Sequence, residues 1–183
     1  RVLEALAFAG AEVAVPVELR AQGDENRLRF SVQFDPAQLG FAGVDLGGDA
    51  SDASLRIDRN NALQGLLGLE VTLPAGRTFA SGTRRVALLR FAVPIGVPES
   101  VLPVLPSPGP FAREVSDVAG ETLLASAEGG AVTVTHGFEA DVTPRPFGKN
   151  TGRVTVADWV QVGLFAVGLE AVNSASELER ADC

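Results

Sequence analysis

The chain has 183 residues, a formal net charge of −8, and 46% hydrophobic against 21% charged side chains. That length gives one large domain, or one domain with an appendage, and a chain of this size buries roughly two-thirds of its unfolded surface without help from disulfides. An acidic surface with its Lys and Arg scattered repels phosphate backbones, which disfavours nucleic acid as a partner, and no apolar run reaches membrane-spanning length.

Methionine is absent, so Arg1 is read as the start of a processed or excised chain rather than a translation start. The single cysteine, Cys183, excludes an internal disulfide. It is either an accident of the chain end or a link to something outside the segment.

Residues 1–136 read as strands. Val13, Val15, Val17 and Leu19 alternate with Ala14, Pro16 and Glu18. Leu28, Phe30, Val32 and Phe34 alternate with Arg29, Ser31 and Gln33, the period-two pattern of a strand with one buried and one wet face. Turn chemistry at Gly23-Asp24-Glu25-Asn26 predicts that these two runs are antiparallel neighbours. Pro16 inside the first run demands an edge or a bulge. Further short runs follow at Leu39–Leu46, Ser54–Asp58, Leu67–Leu73, Ala87–Val93, Val101–Leu105, Arg113–Val118 and Ala131–Thr135, with Gly, Pro, Asn or Asp separating nearly every pair. No helical stripe interrupts them. The expected class is mainly β, an antiparallel jelly-roll sandwich.

The composition changes after His136. Residues 137–152 are rich in Gly, Pro, Asn and Thr and read as linker. A helix is predicted over Val156–Leu169, with Thr155 as N-cap, Asp158 closing a carboxylate form of the capping box, and Gly168 near the stop. Ser174 or Ser176 starts a second short turn through Arg180. Val156, Trp159, Val160, Val162, Leu164, Phe165, Val167 and Leu169 cover most of the helix circumference. A helix apolar nearly all round is expected to be buried on most sides, against the sandwich, a missing segment or another molecule. Trp159, Val160, Val162 and Phe165 are therefore the candidate partner-binding residues.

The stretch Asp141–Asp158 is the candidate cation site. An EF-hand-type loop supplies oxygens at positions 1, 3 and 5, a Gly at 6, a carbonyl at 7 and a carboxylate at 12. Counting back from Asp158 as 12 puts Thr155 at 9, Arg153 at 7, Gly152 at 6 and Thr151 at 5. Lys149 falls at 3 and is no cation ligand, so the loop is expanded. Its candidate calcium ligands are Asp141, Asn150, Thr151, the Arg153 carbonyl and Asp158. A Pro/Gly linker followed by a capped helix accounts for Gly152, Thr155 and Asp158 without a metal, and leaves Asp141 unexplained.

Two resemblances follow from these residues. Asn150-Thr151-Gly152-Arg153-Val154-Thr155-Val156-Ala157-Asp158-Trp159 resembles one repeat of a dockerin, and Arg180-Ala181-Asp182-Cys183 looks like the start of a second. Val13-Ala14-Val15-Pro16-Val17, then Phe34-Asp35-Pro36 and Leu39, then Gly82-Thr83 leading into Leu89-Arg90-Phe91-Ala92-Val93, resemble a cohesin over most of residues 2–135. The cohesin resemblance implies a nine-stranded jelly roll with a dockerin-binding face. The two parts, 1–136 and 137–183, together imply a non-catalytic, extracellular or cell-surface module that associates with a protein partner or with itself, head to tail, into oligomers or fibres. Two other readings stay open: a module binding polysaccharide, which the sandwich's lack of Trp and Tyr disfavours, and a passive spacer.

Enzyme readings are poor. His136 is the only histidine, so a Ser-His-Asp set would have to use it, and a zinc site lacks ligands. Asp49 and Asp52 read as a solvated turn rather than a carboxylate pair.

Overall fold

A computed structural model describes residues 1–135 and 155–171. The chain divides into two compact units, Arg1–Val134 and Thr135–Cys183. The first is a sandwich of β1 (Ala5–Phe8), β2 (Glu12–Ala21), β3 (Glu25–Gln33), β4 (Gly40–Leu46), β5 (Ser54–Asp58), β6 (Leu66–Thr72), β7 (Gly82–Ala92), β8 (Ser100–Ser107), β9 (Glu114–Asp117), β10 (Thr122–Leu123) and β11 (Gly130–Thr135). Single 3-10 turns at Gly48–Ala50 and Ala62–Gln64 flank β5. The second unit contributes α1 (Val156–Ala166). The larger sheet runs β1-β11-β8-β3-β6-β5, with β9 on β3 and β10 on β9; the smaller runs β2-β7-β4. The described residues thus carry eleven strands where the resemblance implied nine.

The period-two runs face one another across the core. Val13, Val15 and Val17 of β2 oppose Phe91, Leu89 and Ala87 of β7, all buried. Leu28 and Val32 of β3, Leu67, Leu69 and Val71 of β6, and Leu102 and Val104 of β8 line the other inner face. Phe34 meets Phe91 edge to face, with ring centroids 4.9 Å apart. Each such side chain contributes roughly 1.5–3 kcal/mol of apolar burial, which is why alternation marks these runs as two-faced strands.

Pro16 satisfies both sequence expectations. β2 is an edge strand of the smaller sheet, and the β2–β7 register shifts between Val17 and Glu18. The Pro16 carbonyl accepts a hydrogen bond from Leu3 N at 2.9 Å, so the residue's polar side faces the edge and the missing N–H costs the ladder nothing.

One expectation fails: β2 and β3 are not neighbours, for they lie in different sheets. The reason is Glu25. Its carboxylate is buried and accepts hydrogen bonds from Gln22 N at 2.8 and 3.0 Å and from Gly23 N at 3.1 Å. The turn is thereby closed by a side chain rather than by a hairpin ladder. The Glu25 carbonyl accepts from Phe79 N at 2.8 Å, and β3 pairs with β9 instead. A turn motif shows that the chain reverses, not which sheet receives it.

Asp49 is likewise more than a solvated turn residue. Its Oδ2 accepts from Arg85 N at 2.8 Å, and its Oδ1 lies 3.4 Å from Arg84 Nη1, which docks the first 3-10 turn onto β7. Asp52 stands apart, 3.7 Å from Arg77.

Candidate functional site

Two surfaces qualify. The first is the outer face of the larger sheet. β8 and β9 share one edge of β3: Leu105–Ser107 oppose Ser31–Gln33, and Glu114–Asp117 oppose Glu25–Arg29. The chain between β8 and β9 leaves the sheet and lays Phe111 on its outer face, where the ring is buried. Ser31 was expected on the wet face but is buried as well. Its hydroxyl donates to the Phe111 carbonyl at 2.8 Å and accepts from Phe111 N at 2.7 Å. Gly68 on β6 makes the seat, because a Cβ there would stand 2.9 Å from Pro110 Cγ and 3.0 Å from Phe111 Cδ2. No local sequence signal pairs Phe111 with Ser31, since 80 positions separate them.

Cations surround the ring. The guanidinium carbons of Arg29 and Arg56 stand 4.7 and 5.1 Å from its centroid, close enough for cation–π attraction to both. Arg27 lies 3.1 Å from Glu70 and 3.5 Å from Glu114, and Arg29 lies 3.7 Å from the same Glu70 oxygen. Arg27 Nε and Arg29 Nε are buried with no hydrogen-bond partner among the described residues. In a chain of net charge −8, three arginines are gathered on one face. Further along β8, Val101 and Leu105 are 66% and 41% exposed. Clustered arginine is enriched at protein-binding patches relative to ordinary surface.

The second surface is α1. Asp158 Oδ2 accepts from both the N–H (2.7 Å) and the hydroxyl (2.6 Å) of Thr155, the expected capping contact. Gly168, with φ of 70°, stops the helix at Ala166, three residues before the expected end. In the single chain α1 is not buried on most sides. Asp158 and Gln161 are its buried residues, whereas Trp159 is 68% and Val160 57% exposed, and Val156, Val167 and Leu169 are exposed too. Gln161 Nε2 is held by Glu170 Oε2 at 2.9 Å. The buried polar side chains are hydrogen-bonded, and five of the apolar ones, Val156, Trp159, Val160, Val167 and Leu169, are exposed. Val162 and Phe165 are half-buried.

Of the candidate calcium ligands, Asp141, Asn150, Thr151 and Arg153 lie outside the described residues, as does His136. Asp158 is buried and acts as a capping carboxylate, a role that needs no metal. Among the described residues no three His, Cys, Asp or Glu side chains are grouped to hold a metal, and no helix is long and apolar enough to cross a membrane.

No protein-family model and no curated protein sequence matches the chain. Solved structures do. The Coh-OlpA–Doc918 cohesin–dockerin complex from Clostridium thermocellum matches at TM-score 0.63 and 12% identity over 73% of this chain and 96% of that one. The sixth cohesin of scaffoldin B from Acetivibrio cellulolyticus, solved with the Cel5 dockerin, matches at 0.60 and 19% over the same shares. A non-cellulosomal cohesin from the archaeon Archaeoglobus fulgidus matches at 0.59 and 13%, over 73% and 88%. The fold of this chain is therefore that of a cohesin sandwich.

Proposed function

We propose that this chain is a non-catalytic, protein-binding module of a secreted or cell-surface assembly, in which the sandwich of one copy receives the apolar helix of the next. The observation that carries this reading is the inverted burial of α1: Trp159, Val160 and Val156 face outward while Asp158 and Gln161 are buried. Exposed apolar surface of this kind marks an interaction site. The solved relatives lend support, because two of them are described as cohesins in complex with dockerins. Here a dockerin-like segment and a cohesin fold stand in one polypeptide. Such a heterologous contact joins chains head to tail and does not close unless its rotation happens to. Asp141, Asn150, Thr151, Arg153 and Asp158 are proposed to gather calcium and set the posture of the helix.

Complementation tests this. Trp159→Ala removes the helix side, and the double change Arg29→Glu with Arg56→Glu removes the face side. Each variant alone is expected to stay monomeric in sedimentation velocity. Their mixture retains one intact helix and one intact face, and is expected to give a dimer that grows no further. Oligomers from either variant alone, or no dimer from the mixture, would contradict the reading.

A further inference from the structure

We infer that the arginine-rich outer face recognises its partner through carboxylates, and that the acidic stretch 170–183 of a second copy supplies them. This rests on the head-to-tail reading above and adds the chemistry of the contact.

Strand pairing builds a charged row across four neighbouring strands. Glu114 of β9 opposes Arg29 of β3, Arg29 opposes Glu70 of β6, and Glu70 opposes Arg56 of β5. Side chains directly opposite one another on a sheet face interact, so the alternating signs attract along the row. The inner members are matched. Arg27 lies 3.1 Å from Glu70 and 3.5 Å from Glu114, and Arg29 shares the same Glu70 oxygen at 3.7 Å. The last member is not. β5 ends the larger sheet among the described residues, Arg56 is exposed there, and no described carboxylate pairs with it. Arg27, Arg29 and Arg56 stand against Glu70 and Glu114, which leaves this face with surplus positive charge in a chain of net charge −8.

Phe111 holds Arg56 ready. The guanidinium carbon stands 5.1 Å from the ring centroid, and the ring is fixed by Ser31 and seated at Gly68. A ring face attracts a cation but offers no lone pair, so the N–H fork of Arg56 is left for an acceptor outside the sheet. That fork matches a carboxylate, and a guanidinium already in position loses less freedom on binding one.

The sequence after α1 complements the surplus. Residues 170–183 hold Glu170, Glu177, Glu179 and Asp182 against the single Arg180. They belong to the same unit as α1, so a helix delivered to the face of the next chain brings these carboxylates with it. Glu170 engages Gln161, and Asp182 stands two positions past Arg180, so Glu177 and Glu179 are assigned to Arg56.

Sedimentation velocity of the full chain, in reductant and low salt, tests this. Arg56→Glu alone, and Glu177→Arg with Glu179→Arg, are each expected to weaken association about tenfold. The chain carrying all three changes is expected to associate within about threefold of the parent, because the charges are exchanged rather than lost. Raising salt from about 0.05 to about 0.5 M is expected to weaken the parent. Arg56 is exposed, so an unchanged thermal midpoint in its variant separates the effect from misfolding. Oligomers indifferent to these changes and to salt would overturn the carboxylate contact while the head-to-tail reading stands; a parent that stays monomeric would overturn both. Weakening by Arg56→Glu without rescue in the triple variant would overturn the assignment to Glu177 and Glu179. Tighter association of either variant would overturn it too, by placing the acidic stretch on its own chain's face.

Discussion

Ser31 and Phe111, 80 positions apart, are locked by a reciprocal pair of hydrogen bonds: the serine hydroxyl accepts from Phe111 N at 2.7 Å and donates to Phe111 O at 2.8 Å. One buried hydroxyl thereby satisfies both backbone groups of the residue that sits at the centre of the arginine-rich face. Ser31→Ala leaves a buried N–H and C=O unpaired and is expected to cost about 2 kcal/mol, read as a lowered thermal midpoint. It is also expected to speed hydrogen exchange at Phe111 N, which separates loosening of the loop from general destabilisation.

The seat beneath that ring depends on Gly68. Gly68→Val sets branched atoms where Pro110 and Phe111 already stand within 3.0 Å of a Cβ. Overpacking of this kind costs about 1–3 kcal/mol. Phe111 is expected to lift from the sheet, and Arg29 and Arg56 to lose their shared ring. A variant whose midpoint and Phe111 exchange rate match the parent would show that the loop gives way without cost.

Glu25 ties the crossover between the sheets. Glu25→Ala removes the acceptor for Gln22 N and Gly23 N and is expected to cost about 3 kcal/mol, whereas Glu25→Gln keeps one acceptor and costs about half as much. Denaturant unfolding of the two variants measures the difference, and equal midpoints would remove Glu25 from this role.

Part of this architecture was legible in the sequence. The alternation Leu28, Phe30, Val32, Phe34 and the Val13–Leu19 run announced two-faced strands, because burial imposes a period of two whatever the partner. Thr155 and Asp158 announced a helix start, because capping is local. The sheet assignment of β3 was not legible, since Gly23-Asp24-Glu25-Asn26 encodes a reversal and the buried Glu25 carboxylate decides the destination. Ser31 read as a wet residue, because its partner Phe111 arrives from the distant β8–β9 connection. The apolar girdle of α1 marked Trp159 and Val160 as partner-facing, but composition does not say that Asp158 and Gln161 lie on the buried side.

Asp35 gives the fold an acid-sensitive point. The side-chain hydrogen bond from Gln38, at 2.7 Å, and then the Ala37 N–H, at 2.9 Å, hold its carboxyl below its ordinary value. A carboxyl with a depressed folded value contributes stability that is present above the ordinary carboxylate value of about 3.9 and is lost as pH falls through the lowered one. Carbon-detected NMR titration is expected to show Asp35 titrating below the ordinary aspartate value. On acidification the loss of stability is expected to be smaller in Asp35→Asn than in the parent. A titration at the ordinary value would remove the linkage.

The chain contains one tryptophan, and it is the residue on which the assembly reading turns. Its emission, recorded across protein concentration with calcium and then with a chelator, tests that reading most directly. Trp159 is 68% exposed in the single chain, so dilute protein is expected to emit like a solvated indole. Emission is expected to shift to the blue as concentration rises in calcium, and to return on chelation. A spectrum that stays solvated at every concentration, with the chain monomeric throughout, would contradict the account.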